Sequence, residues 1–293
     1  MLIGAILVIA EVATRTVIVP ASRIERRTSA ELEAARSISP HDTPSILLVG
    51  NSLLSYGLNA DTLSRDMGSK FRIRRAIVEQ TQYEDWRFGL RDLWRRGSRP
   101  SVAVLMLDPR QFLSDYSRGD YSAWRLVGAP DVIAFGRVSH LHPTEISRLV
   151  LSHFSAFYGF RNEMRKILLG RLLPGIPEWM VSVGPPAVPH VTPGDIGARI
   201  RARLRELQSD ADGTGVRVVL VGPPALESAL HGAFQTAGLE TGVSVLVPEA
   251  NYRFDASDFV DGFHLNAKGA QRFTRDLAEQ LDALMARSPK HAS

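Results

Sequence analysis

Cysteine is absent from the 293 residues. That excludes a thiol nucleophile, disulfides and Cys-ligated zinc, though it does not identify a compartment. Lysine is nearly missing, occurring only at Lys70, Lys166, Lys268 and Lys290, so that arginine supplies almost all the basic charge behind the net +4 and the sequence pI near 9.6. No dense basic stripe interleaves with aromatics, as a nucleic-acid surface requires, and no nucleic-acid partner is expected. There is no internal repeat or low-complexity tract. No Gly-rich phosphate-cradling loop follows the first apolar strand, so no cofactor is expected. His140 and His142 sit two apart in a loop-like stretch, and His153 stands alone. Neither pattern is a metal-ligand set, so no metal is expected. What remains, 44% apolar and 23% charged residues, has the balance of a globular protein. The length suits one sizeable α/β domain with appendages, or two small ones.

The N-terminus carries the one targeting signal. Leu2–Ala10 is an uninterrupted apolar run; Glu11 and Arg15 follow, four apart and able to pair on one helix face, and Thr16–Val19 is apolar again. As a helix, Leu2–Val19 would reach roughly 27 Å, just short of a hydrocarbon core. A signal-anchor, an amphipathic surface helix and the tail of a longer span all fit this pattern. Residues 1–20 are taken as a membrane anchor and 21–44 as a polar linker with a short helix near Ser29–Ser37.

From Ser45 the pattern alternates. Ile46–Gly50, Val102–Leu107 and Val216–Val221 read as buried parallel strands, and Phe71–Val78 and the short Val243–Val247 as the second and fifth strands. Helices are expected over Asn59–Met67, Tyr83–Arg96, Ile196–Gln208, Ala225–Ala237 and Ala267–Met285. Residues 113–191 break the rhythm and read as an inserted helical cap, with helices near Glu145–His153 and Phe160–Leu173 and a Pro-rich return, Gly184–Pro193. Its Tyr116, Tyr121, Trp124 and Tyr158 could stack on sugar rings or simply pack the cap. The fold class is α/β, a parallel five-stranded sheet in a three-layer sandwich over residues 45–285, with 286–293 as a tail.

In such sheets ligands bind outside the carboxyl ends of the strands, which isolates a few positions. Asn51-Ser52 follows the first strand, Glu79–Gln82 the second and Asp108-Pro109-Arg110 the third. Asp261 and His264 precede the last helix. A serine hydroxyl needs a base, and His264 is suited to that near neutral pH. Asp261, three residues earlier, can orient the imidazole. Asn51 and Ser52 are also good helix caps, so each string alone has a purely structural reading. Arg110 reads as an anion donor or as an ion-pair partner of Asp108.

Two strings together, Ile46–Leu54 (ILLVGNSLL) and Asp261–Gly269 (DGFHLNAKG), resemble the motif blocks of the SGNH, or GDSL-like, hydrolase superfamily, over roughly Ser45–Leu284. The resemblance implies a flavodoxin-like fold with Ser52 as nucleophile, His264 as general base and Asp261 as its orienting acid. Asn51 stands where the commoner motif has Asp. The family's Gly after strand two and Asn after strand three are replaced by Glu79-Gln80-Thr81-Gln82 and Asp108-Pro109-Arg110. Asn51, Gln80, Thr81 and Arg110 are therefore the candidates for oxyanion or substrate binding. The pattern is similar to the membrane-anchored branch that includes alginate O-acetyltransferase-like and teichoic-acid D-alanyl transfer proteins. This implies an esterase or O-acyltransferase acting on an acylated glycan or other ester substrate, placed on the extracytoplasmic (periplasmic) side beside envelope-polymer synthesis partners. The rival is a non-catalytic glycan-binding or scaffold protein on the same fold.

Overall fold

The computed structural model describes residues 2–40, 44–173, 193–225, 230–248 and 254–286. The Pro-rich run Gly184–Pro193 and the tail 286–293 lie almost entirely outside them. The backbone divides into two compact units. The first comprises Met1–Ala30, Thr81–Asp92 and Ser114–His190; the second comprises Glu31–Gln80, Leu93–Leu113 and Val191–Ser293.

The second unit is built on five parallel strands, β1 (Ser45–Gly50), β2 (Arg72–Ile77), β3 (Val102–Met106), β4 (Arg217–Val221) and β5 (Ser244–Leu246), in the order β2-β1-β3-β4-β5. This is the flavodoxin-like order of doubly wound sheets. The apolar strings behave as period-2 geometry requires. Ile46, Leu48, Val104, Met106, Val219 and Val221 share one face and pack with Leu53, Leu54, Phe273, Leu277 and Leu281. Leu47, Val49, Ala103, Leu105 and Leu220 occupy the other face and are fully buried as well. Burial on both sides explains why these strands are apolar throughout rather than alternating.

The closing helix, Ala267–Ala286, buries Ala270, Phe273, Thr274, Leu277, Ala278 and Leu281, the i, i+3, i+4, i+7 stripe of an amphipathic helix. The helices Pro193–Ala211 and His231–Thr241 pair on the far side of the strand order, against β4 and β5 respectively. The expected start at Ala225 gives way to His231, with 226–229 outside the described residues.

The segment 21–44 departs from the linker expectation. Arg23–Arg36 is a continuous helix, and Leu32 and Ala35 are buried. Within the second unit, the Glu31 carboxylate accepts the Arg75 Nε–H at 2.9 Å and the Ile77 backbone N–H at 3.0 Å. Ile77 lies on β2, an edge strand whose outward N–H groups would otherwise be open to another chain. The short helix expected near Ser29–Ser37 thus begins six residues earlier, a start hidden in the sequence because its polarity resembles a linker and its buried residues are few and spaced on one side.

The first unit is helical. Phe88, Ala123, Val127, Val132, Phe135 and Leu149 form its core. The helices expected near Glu145–His153 and Phe160–Leu173 run from Pro143 to Phe154 and from Ala156 to Leu172. Tyr121 donates to Glu25 Oε1 at 2.6 Å, and Arg125 holds Glu25 Oε2 at 2.7 Å. The cap aromatics are mostly committed to packing. Arg118 lies 3.7 Å over Tyr121, Arg125 lies 4.0 Å over Trp124 and Arg161 lies 3.9 Å over Tyr158. Asp85 is fully buried, and desolvation pushes its carboxyl up to about 6 despite the Gln82 and Arg118 backbone N–H groups that donate to it.

Gly50, the last residue of β1, has no room for a side chain: a Cβ there would lie 2.7 Å from the Met106 carbonyl oxygen and 3.2 Å from Leu54 Cβ. Gly50→Ala should therefore destabilise the protein by about 1–3 kcal/mol. The expected readout is a lower urea midpoint at unchanged m-value.

Candidate active site

The strand order places the topological switch beside β1, where the chain leaves toward β2 on one side and β3 on the other, so the ligand crevice belongs at its carboxyl end. Asn51 is the first residue past β1. It is buried, and its side chain accepts the Leu53 N–H at 3.0 Å, capping the short helix Ser52–Gly57. Asn51 thus does the work of a helix cap, and it fixes the turn that presents Ser52, half-buried, at the sheet edge.

The second element is the turn before the last helix, and each residue of its motif has a physical job. Asp258 is fully buried and accepts from Arg272 Nη1 at 3.0 and 2.9 Å. Phe259 and Leu265 form an antiparallel bridge, and Val260 N–H donates to the His264 carbonyl at 2.8 Å. Leu265 inserts into the sheet core. Asn266 Oδ1 accepts the Lys268 and Gly269 N–H groups at 3.1 and 3.0 Å, capping the Ala267–Ala286 helix. Gly269 is required because a Cβ would meet the Asp258 carbonyl oxygen at 2.5 Å. Between these fastenings the chain makes a tight loop through Gly262, at φ +80°.

That loop brings Asp261 and His264 together and carries them to Ser52. Asp261 Oδ2 lies 2.7 Å from His264 Nδ1, and His264 Nε2 lies 3.0 Å from Ser52 Oγ. Asp261 Oδ1 also accepts the backbone N–H groups of Phe263 (3.0 Å) and His264 (2.7 Å). Partial burial works against ionisation of Asp261. It is outweighed by the His264 N–H, the His264 ring and the Phe263 N–H, which hold the carboxyl down to about 2. An ionised carboxylate on Nδ1 fixes the tautomer that leaves Nε2 free to accept the serine proton.

The remaining candidates are spread out. Gln80 is exposed and adopts φ +60°, a left-handed conformation that favours glycine. A non-glycine residue thus holds a glycine-like backbone here. It lies three residues past Ile77, which is in register with Gly50, so both turns leave neighbouring strands at the same sheet edge. Thr81 belongs to the first unit, is buried, and its hydroxyl accepts the Trp86 indole N–H at 2.8 Å. Arg110 is engaged with Asp108: its backbone N–H donates to Oδ1 at 2.8 Å and its Nε lies 3.7 Å from the same atom. Burial raises the Asp108 carboxyl, opposed by the Arg110 N–H and charge, by the His231 charge and by the Gln111 N–H. Arg110 therefore makes the ion pair that its spacing allowed.

Two residues were missed. Tyr56 and Phe263 flank the His264 ring at centroid distances of 4.7 and 5.1 Å, and both are exposed, by 52% and 37%. The signal for Tyr56 was its position one helical turn after Ser52; for Phe263 it was adjacency to His264. Among the described residues, no group of three or more His, Cys, Asp or Glu side chains could hold a metal ion.

No family model matches the sequence, and no curated protein matches it either. Two solved structures align over most of the chain at low similarity. One is LAE5, an alpha/beta hydrolase enzyme from the metagenome of Lake Arreo, Spain, at 11% identity and TM-score 0.41, with 85% of this chain and 99% of that one covered. The other is a mutant of Axe2, an acetyl-xylooligosaccharide esterase from Geobacillus Stearmophilus, at 12% identity and TM-score 0.38, with 88% and 99% covered.

Proposed function

We propose that the protein is a serine-dependent acyl-ester hydrolase or O-acyltransferase of the SGNH type, acting on an acylated glycan or related envelope polymer. The continuous hydrogen-bonded line Asp261–His264–Ser52 carries this reading. Residues 212 apart in sequence meet at 3.0 Å, and a glycan-binding scaffold would have no need for that arrangement.

His264 Nε2 takes the Ser52 proton as Oγ attacks the acyl carbonyl, and Asp261 stabilises the resulting imidazolium. The tetrahedral oxyanion needs donors. The Ser52 backbone N–H at the start of its helix is one candidate, and the left-handed turn at Gln80, past the neighbouring strand, is the candidate for the second. His264 then returns the proton to the departing alkoxide, leaving acyl-Ser52. Water or a sugar hydroxyl, deprotonated by His264, attacks the acyl-enzyme and regenerates Ser52. The exposed rings of Tyr56 and Phe263 beside His264 suit stacking on a sugar, which supports a glycan substrate. The 20-residue helix Leu2–Ala21, with mean hydropathy 2.1, is long and apolar enough to reach into a bilayer. It supports a membrane-tethered protein; the extracytoplasmic placement of the catalytic unit follows only from the proposed substrate, since such polymers and their synthesis partners reside there.

Hydrolysis of p-nitrophenyl acetate by Ser52→Ala should fall at least about a thousandfold against wild type, since triad members act as a unit. Equal rates would overturn the proposal. Gln80→Gly should retain activity, because glycine adopts the same left-handed turn without strain, whereas Gln80→Val should lose most of it. One oxyanion donor is worth about 10²–10³ in rate. Loss of activity in both variants would instead assign the role to the Gln80 side chain.

The Asp261 carboxyl is depressed from its ordinary 3.8 to about 2 in the folded protein. A depressed carboxyl stabilises the fold above its unfolded pKa, and that stability is lost as pH falls through the folded value. The part of the stability difference between wild type and Asp261→Asn that comes from the Asp261 carboxylate should therefore be fully present above about pH 4 and shrink between about 4 and 2. Urea unfolding of both proteins across that range measures it; a difference independent of pH would remove Asp261 from the pair.

A further inference from the structure

The helix Leu2–Ala21 passes the length test for a bilayer span, yet its two halves are not equivalent. Leu2–Ile9 are all exposed. From Glu11 onward the helix is tied to the first unit. The Glu11 carboxylate accepts the Ser155 hydroxyl at 2.8 Å and the Ala156 and Phe157 N–H groups at 2.9 and 3.0 Å, satisfying first-turn donors of the Ala156–Leu172 helix. Arg15 pairs with Glu11 at 2.5 Å and donates to the Phe154 carbonyl at 2.9 Å. Thr14, fully buried, reaches the Met164 sulfur at 3.8 Å.

If Leu2–Ala21 lay wholly in hydrocarbon, this junction would sit near the bilayer midplane. Two physical costs forbid that. The Arg15 side chain is 52% exposed, and a charged group facing acyl chains is expensive. Ser155, at φ −112° and ψ 114°, breaks the helix between Phe154 and Ala156, and a lipid-exposed non-helical turn does not occur within the hydrocarbon region. Phe154, whose carbonyl accepts from Arg15, and Leu151 are themselves exposed, by 67% and 48%.

We propose that the first unit is a membrane-seating platform. Lipid takes up the helix only as far as about Glu11, and Phe154 and Leu151 rest in the headgroup region of the bilayer. Ile3 then sits roughly 12 Å deeper than Glu11 along the helix. This rests on the membrane-tethered reading above and refines it by fixing depth and the second contact.

Because the chain has no cysteine, single-cysteine variants label at one site. Ile3→Cys, Val12→Cys and Phe154→Cys, all at exposed positions, would carry an environment-sensitive fluorophore in the full chain. The vesicles would be phosphatidylcholine and phosphatidylglycerol with nitroxide quenchers placed at the headgroup or deep in the acyl chain. The expected ratio of deep to shallow quenching is above one for Ile3 and below one for both Val12 and Phe154. Deep quenching dominant at Val12 and Phe154 would overturn the boundary while leaving the tether standing. No quenching at Phe154 with deep quenching at Ile3 would overturn the platform alone. No quenching at any site would overturn tether and platform together, without touching the Ser52 chemistry.

Discussion

The buried ion pair between Asp258 and Arg272 is the constraint on which the site depends. A fully desolvated carboxylate costs several kcal/mol unless a partner and hydrogen bonds satisfy it, and here both oxygens are held by a guanidinium on the last helix. The pair fastens the 255–266 turn to a helix that is itself anchored in the sheet core through Phe273, Leu277 and Leu281. The rigidity of the core is thereby passed to a loop whose tip, Asp261, is otherwise exposed. Without such a fastening, a 3.0 Å contact between His264 and Ser52 would be one of many positions open to the loop.

The same economy appears on the serine side. Asn51 spends its side chain on the Leu53 N–H, and Gly50 admits the Met106 carbonyl, so the β1 turn has little freedom. Both halves of the dyad hang from adjacent parts of one core, β1 directly and His264 through the last helix. The stability of the fold and the geometry of the site therefore rest on the same buried residues, whereas Tyr56 and Phe263, exposed at the rim, are free to vary with whatever the site accepts.

In the first unit, polar groups are consumed internally in an analogous way. Glu11 and Arg15 interrupt an apolar run, and in isolation they would weaken an anchor. Joined to the Phe154–Phe157 turn they become the joint between an apolar helix and a helical body. The interruption that shortens the free apolar segment is what attaches it.

Much of this was legible in the sequence because the physics behind it is local. Short continuous apolar runs such as ILLVG and VAVLM, bounded by Gly, Pro or polar residues and rich in β-branched side chains, fit strands buried on both faces, and the Asp261/His264 spacing places two side chains on one tight turn. The apolar N-terminal run announced itself by composition. Other features depend on partners distant in the chain and could not be read. The Arg23–Arg36 helix looks like a linker until Glu31 is seen capping β2. The left-handed turn at Gln80 is invisible because the residue type that usually marks it is missing. Spacing left Arg110 open between anion donor and ion-pair partner, and the fold sets its Nε 3.7 Å from Asp108 Oδ1. The sequence by itself determined the strands, their order of appearance and the chemistry available at their ends. Only tertiary structure decided that Ser52 and His264 meet and that the apolar helix is occupied beyond Glu11, because both depend on which distant backbone groups a side chain finds when the chain closes on itself.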